Sequence, residues 1–114
     1  MSDCVPYAIH IVSGAPLSTV IEMAIKRDWD AEEGMSAVAG WCLLRDMGLS
    51  ITPMMTTDSK PTIASFVKQL DPSKIFILSV KEHWIAVRMG AIHDKAATHP
   101  RAVVTNFFEI KRPL

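Results

Sequence analysis

A chain of 114 residues that is 49% hydrophobic and 21% charged has the composition of a globular protein and can bury one core. Twelve basic side chains balance twelve acidic ones without a basic run, which argues against a nucleic-acid partner and against an anionic membrane. We therefore expect one domain over residues 1–114.

Four helices are predicted in the first two thirds of the chain, over 5–12, 15–28, 35–47 and 61–70. Pro6 suits the first turn of the first helix, where its missing N–H costs nothing, and Gly14 follows the end of that helix. Gly48 ends the third helix, and Ser59 is the expected cap of the fourth. Cys42 lies at helical spacing among apolar residues of the third helix, which predicts a buried packing residue.

After Pro72 the pattern changes to short runs that are rich in β-branched and aromatic residues. These runs are KIFILSV, HWIAVRM, AIHD and AVVTNFFEI. An earlier run, LSITPMM, is expected to form a short edge strand, and its Met54 and Met55 are expected in or beside the core. Helices followed by antiparallel strands predict an α+β fold, in which N-terminal helices pack on a C-terminal, mainly antiparallel sheet.

The first residues of the chain and its two cysteines indicate the cellular compartment in which the protein is expected. The start of the chain lacks the basic and apolar regions of a signal peptide, and no apolar run approaches ~18 residues. These features predict a soluble cytoplasmic protein in which Cys4 and Cys42 are free thiols. A metal site that uses both cysteines and two histidines is a weaker alternative, because no C-x-x-C or H-x-x-x-H spacing occurs. No cofactor is expected.

The stretch HWIAVRMGAIHD, residues 83–94, has the pattern of a β-hairpin. With a two-residue turn at Met89 and Gly90, the alternation of side chains puts His83 on the same face as Asp94. The two residues are then diagonal neighbours, with Cβ atoms about 7–8 Å apart, close enough for an imidazole and a carboxylate to meet. A shift of one residue in the register would put them on opposite faces.

Cys4 directly precedes the predicted first helix, where unpaired N–H groups and the helix dipole favour a thiolate. A nucleophilic thiol needs a base, and the base needs a group that fixes its orientation. Cys4, His83 and Asp94 are therefore candidates for nucleophile, base and orienting carboxylate. The alternatives are that Cys4 is a small packing residue, that His83 makes a structural hydrogen bond, and that Asp94 only ends the hairpin.

These motifs resemble the papain-like cysteine peptidase superfamily. The likeness rests on Asp3-Cys4 at the first helix, on the pattern H-x-x-A-V-x-x-G that starts at His83, and on an aspartate eleven residues after that histidine. It is greatest for the small bacterial and bacteriophage members, and more distant for the bacteriocin leader-processing peptidases. The resemblance implies a papain-like fold with Cys4 as nucleophile, His83 as base and Asp94 as orienting carboxylate. In that family a glutamine ahead of the cysteine usually donates to the oxyanion, whereas Met1, Ser2 and Asp3 precede Cys4 here.

The resemblance implies a small cysteine hydrolase that acts on peptide, amide or related acyl bonds. The alternative is a catalytically inactive scaffold of the same fold that binds and modulates a protein, for instance a phage-encoded protein directed at a host protein in the host cytoplasm. A thiol acyltransferase is a third possibility, since it needs the same three residues. In each case a peptide or protein is the expected substrate or partner.

Overall fold

The computed structural model describes residues 4–30, 32, 34–81 and 83–111. The helices in these ranges are α1 Cys4–Ser13, α2 Leu17–Ile25, α3 Ala37–Asp46 and α4 Ile63–Val67. The strands are β1 Ser50–Ile51, β2 Met55–Thr56, β3 Ile75–Val80, β4 His83–Arg88, β5 Ala91–His93 and β6 Asn106–Lys111. Of these helices none has the length and apolar character that crossing a bilayer requires. Most helices precede most strands, and the predicted α+β class is confirmed.

The strands in the described ranges form one antiparallel sheet in the order β1-β6-β3-β4-β5, and β2 also pairs with β6. The hairpin of β4 and β5 turns at Met89 and Gly90, whose φ angles of 55° and 75° are those of a two-residue turn with left-handed backbone. Arg88 pairs with Ala91 across that turn. The predicted register of this hairpin is therefore confirmed.

The sheet separates two groups of buried apolar side chains. On one face α1, α2 and α3 pack over a group that includes Ile77, Trp84, Ala86, Phe108 and Ile110. On the other face α4 packs over a group that includes Phe76, Leu78, Val80, Ile85 and Val87. Because successive residues of a strand point to opposite faces, these sets fix the direction of the side chains along β3, β4 and β6.

The fourth helix is shorter than predicted at both ends, since it spans Ile63–Val67 instead of 61–70. It begins at Ile63, and the hydroxyl of Thr62 rather than that of Ser59 caps it, by accepting a hydrogen bond from the Ser65 N–H. The Ile63 N–H donates to the Ala102 carbonyl, and a neighbouring bond runs from the Val104 N–H to Pro61. These bonds hold residues 102–104 against the start of α4, so the last strand begins at Asn106 instead of Ala102.

Three sulfur-containing side chains are less buried than their neighbours in the sequence suggest. Met54 and Met55 are 43% and 41% exposed, and Met55 pairs with Phe107 of β6 in a two-residue strand. Neither methionine is a buried core residue, which leaves only the edge of the core from the expectation. Cys42 is half-buried on α3 and borders a groove between α2 and α3, which corrects the prediction of a buried packing residue.

Candidate active site

Cys4 is the first residue of α1 and is half-buried at the end of the sheet where β4 begins. Its neighbour Val5 and the second residue of β4, Trp84, converge on Gly40 of α3. A Cβ atom at Gly40 would lie 2.7 Å from Val5 Cγ1 and 2.8 Å from Trp84 Cη2. The absence of a side chain at Gly40 thus lets α3 lie close to both the N-terminal end of α1 and the start of β4.

His83 and Asp94 are in direct contact, as the hairpin register predicts. His83 is the first residue of β4, Asp94 follows β5, and the His83 Nε2 and Asp94 Oδ1 atoms are 2.5 Å apart. The two side chains are 18% and 7% exposed. A short, largely buried bond of this kind fixes the orientation of the imidazole ring.

The loop after β5 holds the Asp94 carboxylate in place. The Ala96 N–H donates to Oδ1 at 3.0 Å, and the Thr98 N–H donates to Oδ2 at 2.6 Å. Burial acts to raise the pKa of Asp94, but the hydrogen bonds from His83, Thr98 and Ala96 outweigh it and hold that pKa below its ordinary value. Asp94 is therefore a carboxylate at neutral pH.

The same loop is tied to α1 by Lys95, whose Nζ lies 5.8 Å from the centre of the Tyr7 ring. Lys95 is the neighbour of Asp94, and Tyr7 lies about one turn after Cys4 on α1. This contact connects the element that carries the carboxylate to the element that carries the thiol.

The contact with Asp94 determines which nitrogen of His83 is available for chemistry. A carboxylate only accepts hydrogen bonds, so Nε2 carries a proton and donates it, and Nδ1 of the neutral ring is the basic nitrogen. His83 and Cys4 border the same cleft of about 740 Å³, together with Trp84 and Lys81. Within the described residues no hydrogen bond joins Cys4 to His83. The structure thus brings the imidazole and the carboxylate into contact at the start of β4, and Cys4 borders a cleft that His83 also borders.

The metal alternative involves residues that lie in different parts of the molecule. Cys4 borders the cleft described above, whereas Cys42 borders the groove between α2 and α3. In the part of the chain that the structure describes, no group of three His, Cys, Asp or Glu side chains could hold a metal ion.

Two polar residues of the cleft were not anticipated from the sequence. Ser79 and Asn106 occupy positions of β3 and β6 that point toward α1, where the same strands otherwise carry Ile77 and Phe108. The sequence did contain a signal for them, namely a polar residue at a position of an otherwise apolar strand whose side chain points into the protein. Such residues are uncommon in a core and point to a ligand or to a hydrogen-bond network.

Comparison of the chain with protein-family models, with curated proteins and with solved structures finds no match. The interpretation of the cleft therefore depends on its own residues.

Proposed function

We propose that the protein is a small cytoplasmic cysteine hydrolase on a papain-like scaffold, with Cys4 as nucleophile, His83 as general base and acid, and Asp94 as the orienting carboxylate. Its substrates contain a peptide, amide or related acyl bond. The proposal is supported by the contact between His83 Nε2 and Asp94 Oδ1, which are 2.5 Å apart, and by the position of His83 on a cleft that Cys4 also borders.

Asp94 contacts Nε2 of His83, so the other ring nitrogen, Nδ1, is the proposed base of the reaction. Nδ1 of His83 takes the proton of the Cys4 thiol, and the thiolate sulfur bonds to the substrate carbonyl carbon. The imidazolium returns that proton to the leaving amine as the C–N bond breaks, which leaves a thioester on Cys4. Water then attacks the thioester and gives a proton to Nδ1. The carbon–sulfur bond breaks, the acid departs and the thiol is restored.

Two features of α1 support the thiolate and the oxyanion. The first N–H groups of a helix have no partner within it, and the helix dipole favours negative charge at that end. Cys4 is the first residue of α1, so the backbone N–H groups of Cys4 and Val5 have no acceptor within the helix and are the proposed donors at the cleft. Donors of this kind stabilise the oxyanion of the tetrahedral intermediate.

Competitive alkylation tests the proposal without knowledge of the substrate. At about pH 6 an ordinary thiol is roughly 0.3% thiolate and reacts slowly with iodoacetamide. We expect Cys4 to be alkylated well before Cys42, as measured by peptide mass spectrometry. His83→Ala is expected to slow the reaction of Cys4, and His93→Ala, at the half-buried histidine of β5, is the matched control.

Equal alkylation of the two cysteines, or a Cys4 rate that His83→Ala leaves unchanged in a folded protein, would overturn the proposal. That result would favour an inactive scaffold that binds another protein. The fold of each variant is checked by circular dichroism before its rate is compared.

A further inference from the structure

Three residues form a row across neighbouring strands on the floor of the cleft. Ser79 of β3 pairs with Trp84 of β4 on one side and with Asn106 of β6 on the other. All three point to the face on which α1 packs, and all three border the cleft together with Cys4. We call Trp84, Ser79 and Asn106 the polar row.

The polar row contains a buried donor and a buried acceptor, neither of which is used. Trp84 is only 3% exposed, and its Nε1 has no hydrogen-bond partner within the described residues. Asn106 is half-buried as a residue, but its Oδ1 atom is buried and has no hydrogen-bond partner within the described residues either. Buried polar groups in folded proteins nearly always have partners, so two unpaired groups in one row point to a bound group that supplies them.

The two atoms specify what that group must offer. An indole N–H can only donate, and an amide oxygen can only accept, so the ligand must present one acceptor and one donor. A carboxylate lacks the donor, and an ester lacks it too. An amide presents its carbonyl oxygen and its N–H together. The walls beside the row are apolar at Val5, Met35 and Met54, which suits the aliphatic atoms on either side of an amide.

We infer that the polar row is an amide-binding subsite, in which Trp84 Nε1 donates to a substrate carbonyl oxygen and Asn106 Oδ1 accepts from a substrate N–H. Ser79 lies between them and is small enough to leave room for the amide plane. The inference rests on the proposed function and narrows it, because it assigns the substrates to peptides and other amides in place of simple esters and thioesters.

The test uses Cys4→Ala protein labelled with ¹⁵N, so that binding is measured without turnover. The probes are N-methylacetamide and methyl acetate, which differ in the N–H. We expect the indole N–H resonance of Trp84 to shift saturably with N-methylacetamide and not with methyl acetate at equal concentration. The resonances of Trp29 and Trp41, which lie outside the row, are internal controls and should not follow the titration.

Asn106→Leu removes the acceptor at similar size and is expected to weaken N-methylacetamide binding by about tenfold. Phe107→Leu, at the next residue of β6 on the opposite face, should leave binding unchanged. The inference would be overturned if the Trp84 resonance does not move or responds equally to both probes. It would also be overturned if Asn106→Leu leaves the affinity for N-methylacetamide unchanged. Because this protein lacks the Cys4 thiol, the outcome is independent of the alkylation test, and either proposal can fail alone.

Discussion

Arg88, the last residue of β4, donates a 2.9 Å hydrogen bond from Nη1 to the carbonyl oxygen of Ile11 near the end of α1. β4 begins with His83, and α1 begins with Cys4. The bond joins the far ends of the two elements, so helix and strand run in the same direction. It thereby keeps the thiol at the end of the sheet where the imidazole lies.

Removal of this bond should lower stability. Arg88→Met keeps much of the apolar stem but loses the charged donor, and we expect the free energy of unfolding to fall by about 1.5–3 kcal/mol. Denaturant unfolding measures the change. The exposed Arg101→Met is the control, expected within about 0.5 kcal/mol of the wild type. Equal losses in both variants would show that the bond to Ile11 contributes nothing specific.

The Asp94 carboxylate should make stability depend on pH in the acid range. Its native pKa lies below the ordinary value of 3.8, so the unfolded chain takes up the proton first as the pH falls. The contribution of Asp94 is complete above pH 3.8 and is lost as the pH falls through the lower native pKa. Asp94→Asn should therefore cost about 1–3 kcal/mol near neutrality, and the gap from wild type should shrink in acid.

Unfolding curves at a series of pH values measure that gap. If the difference in unfolding free energy between wild type and Asp94→Asn stays constant down to the lowest pH at which the protein is folded, the lowered pKa of Asp94 is contradicted. Asp58→Asn, at an exposed position, is the control and should change the unfolding free energy near neutrality by less than about 0.5 kcal/mol.

Cys4→Ser should leave the fold nearly unchanged while it abolishes alkylation at this position and any acyl transfer. Serine is a favoured residue at the start of a helix, and Cys4 is only half-buried, so we expect a change in unfolding free energy of less than about 0.5 kcal/mol. Val5→Thr is the matched control, because it introduces a hydroxyl at the adjacent buried position and should cost about 1–3 kcal/mol. Similar losses in the two variants would identify Cys4 as a packing residue.

Gly40→Ala should destabilise the protein, although alanine is the better helix former by about 1 kcal/mol. The added methyl group would overlap Val5 Cγ1 and Trp84 Cη2, and overpacking of this kind costs about 1–3 kcal/mol. Thermal unfolding measures the net effect. Val38→Ala in the same helix, at a position that is 75% exposed, should not destabilise the protein. A stabilised Gly40→Ala variant would mean that α3 can move away from Val5 and Trp84 at little cost.

The meeting of His83 with Asp94 could be predicted because it depends on local rules. The dipeptide Met89-Gly90 defines a two-residue turn, the turn sets the register, and the register sets the faces. The position of Cys4 at the N-terminal end of a helix could also be predicted from nearby residues, since Pro6 marks the first turn.

Features that depend on distant backbone could not be predicted in this way. The start of α4 is set by hydrogen bonds between residues 61–63 and 102–104, so the prediction of Ser59 as the cap, made from nearby residues alone, was wrong. The polar row could be recognised only once β6 was known to lie beside β3, which brings Asn106 next to Ser79. Strand order is a property of the whole chain, and no single stretch of sequence encodes it.

The pairing of early and late segments has a consequence for folding kinetics. The bond between Ile11 and Arg88 spans 77 residues, and β6 is inserted between β1 and β3. Chains whose contacts join distant residues fold more slowly than helical bundles of similar size, because long loops must close before those contacts form. We therefore expect the cleft beside Cys4 to be completed late in folding, when α1 docks on β4. Under the proposed function, the alkylation rate of Cys4 during refolding would report that docking step.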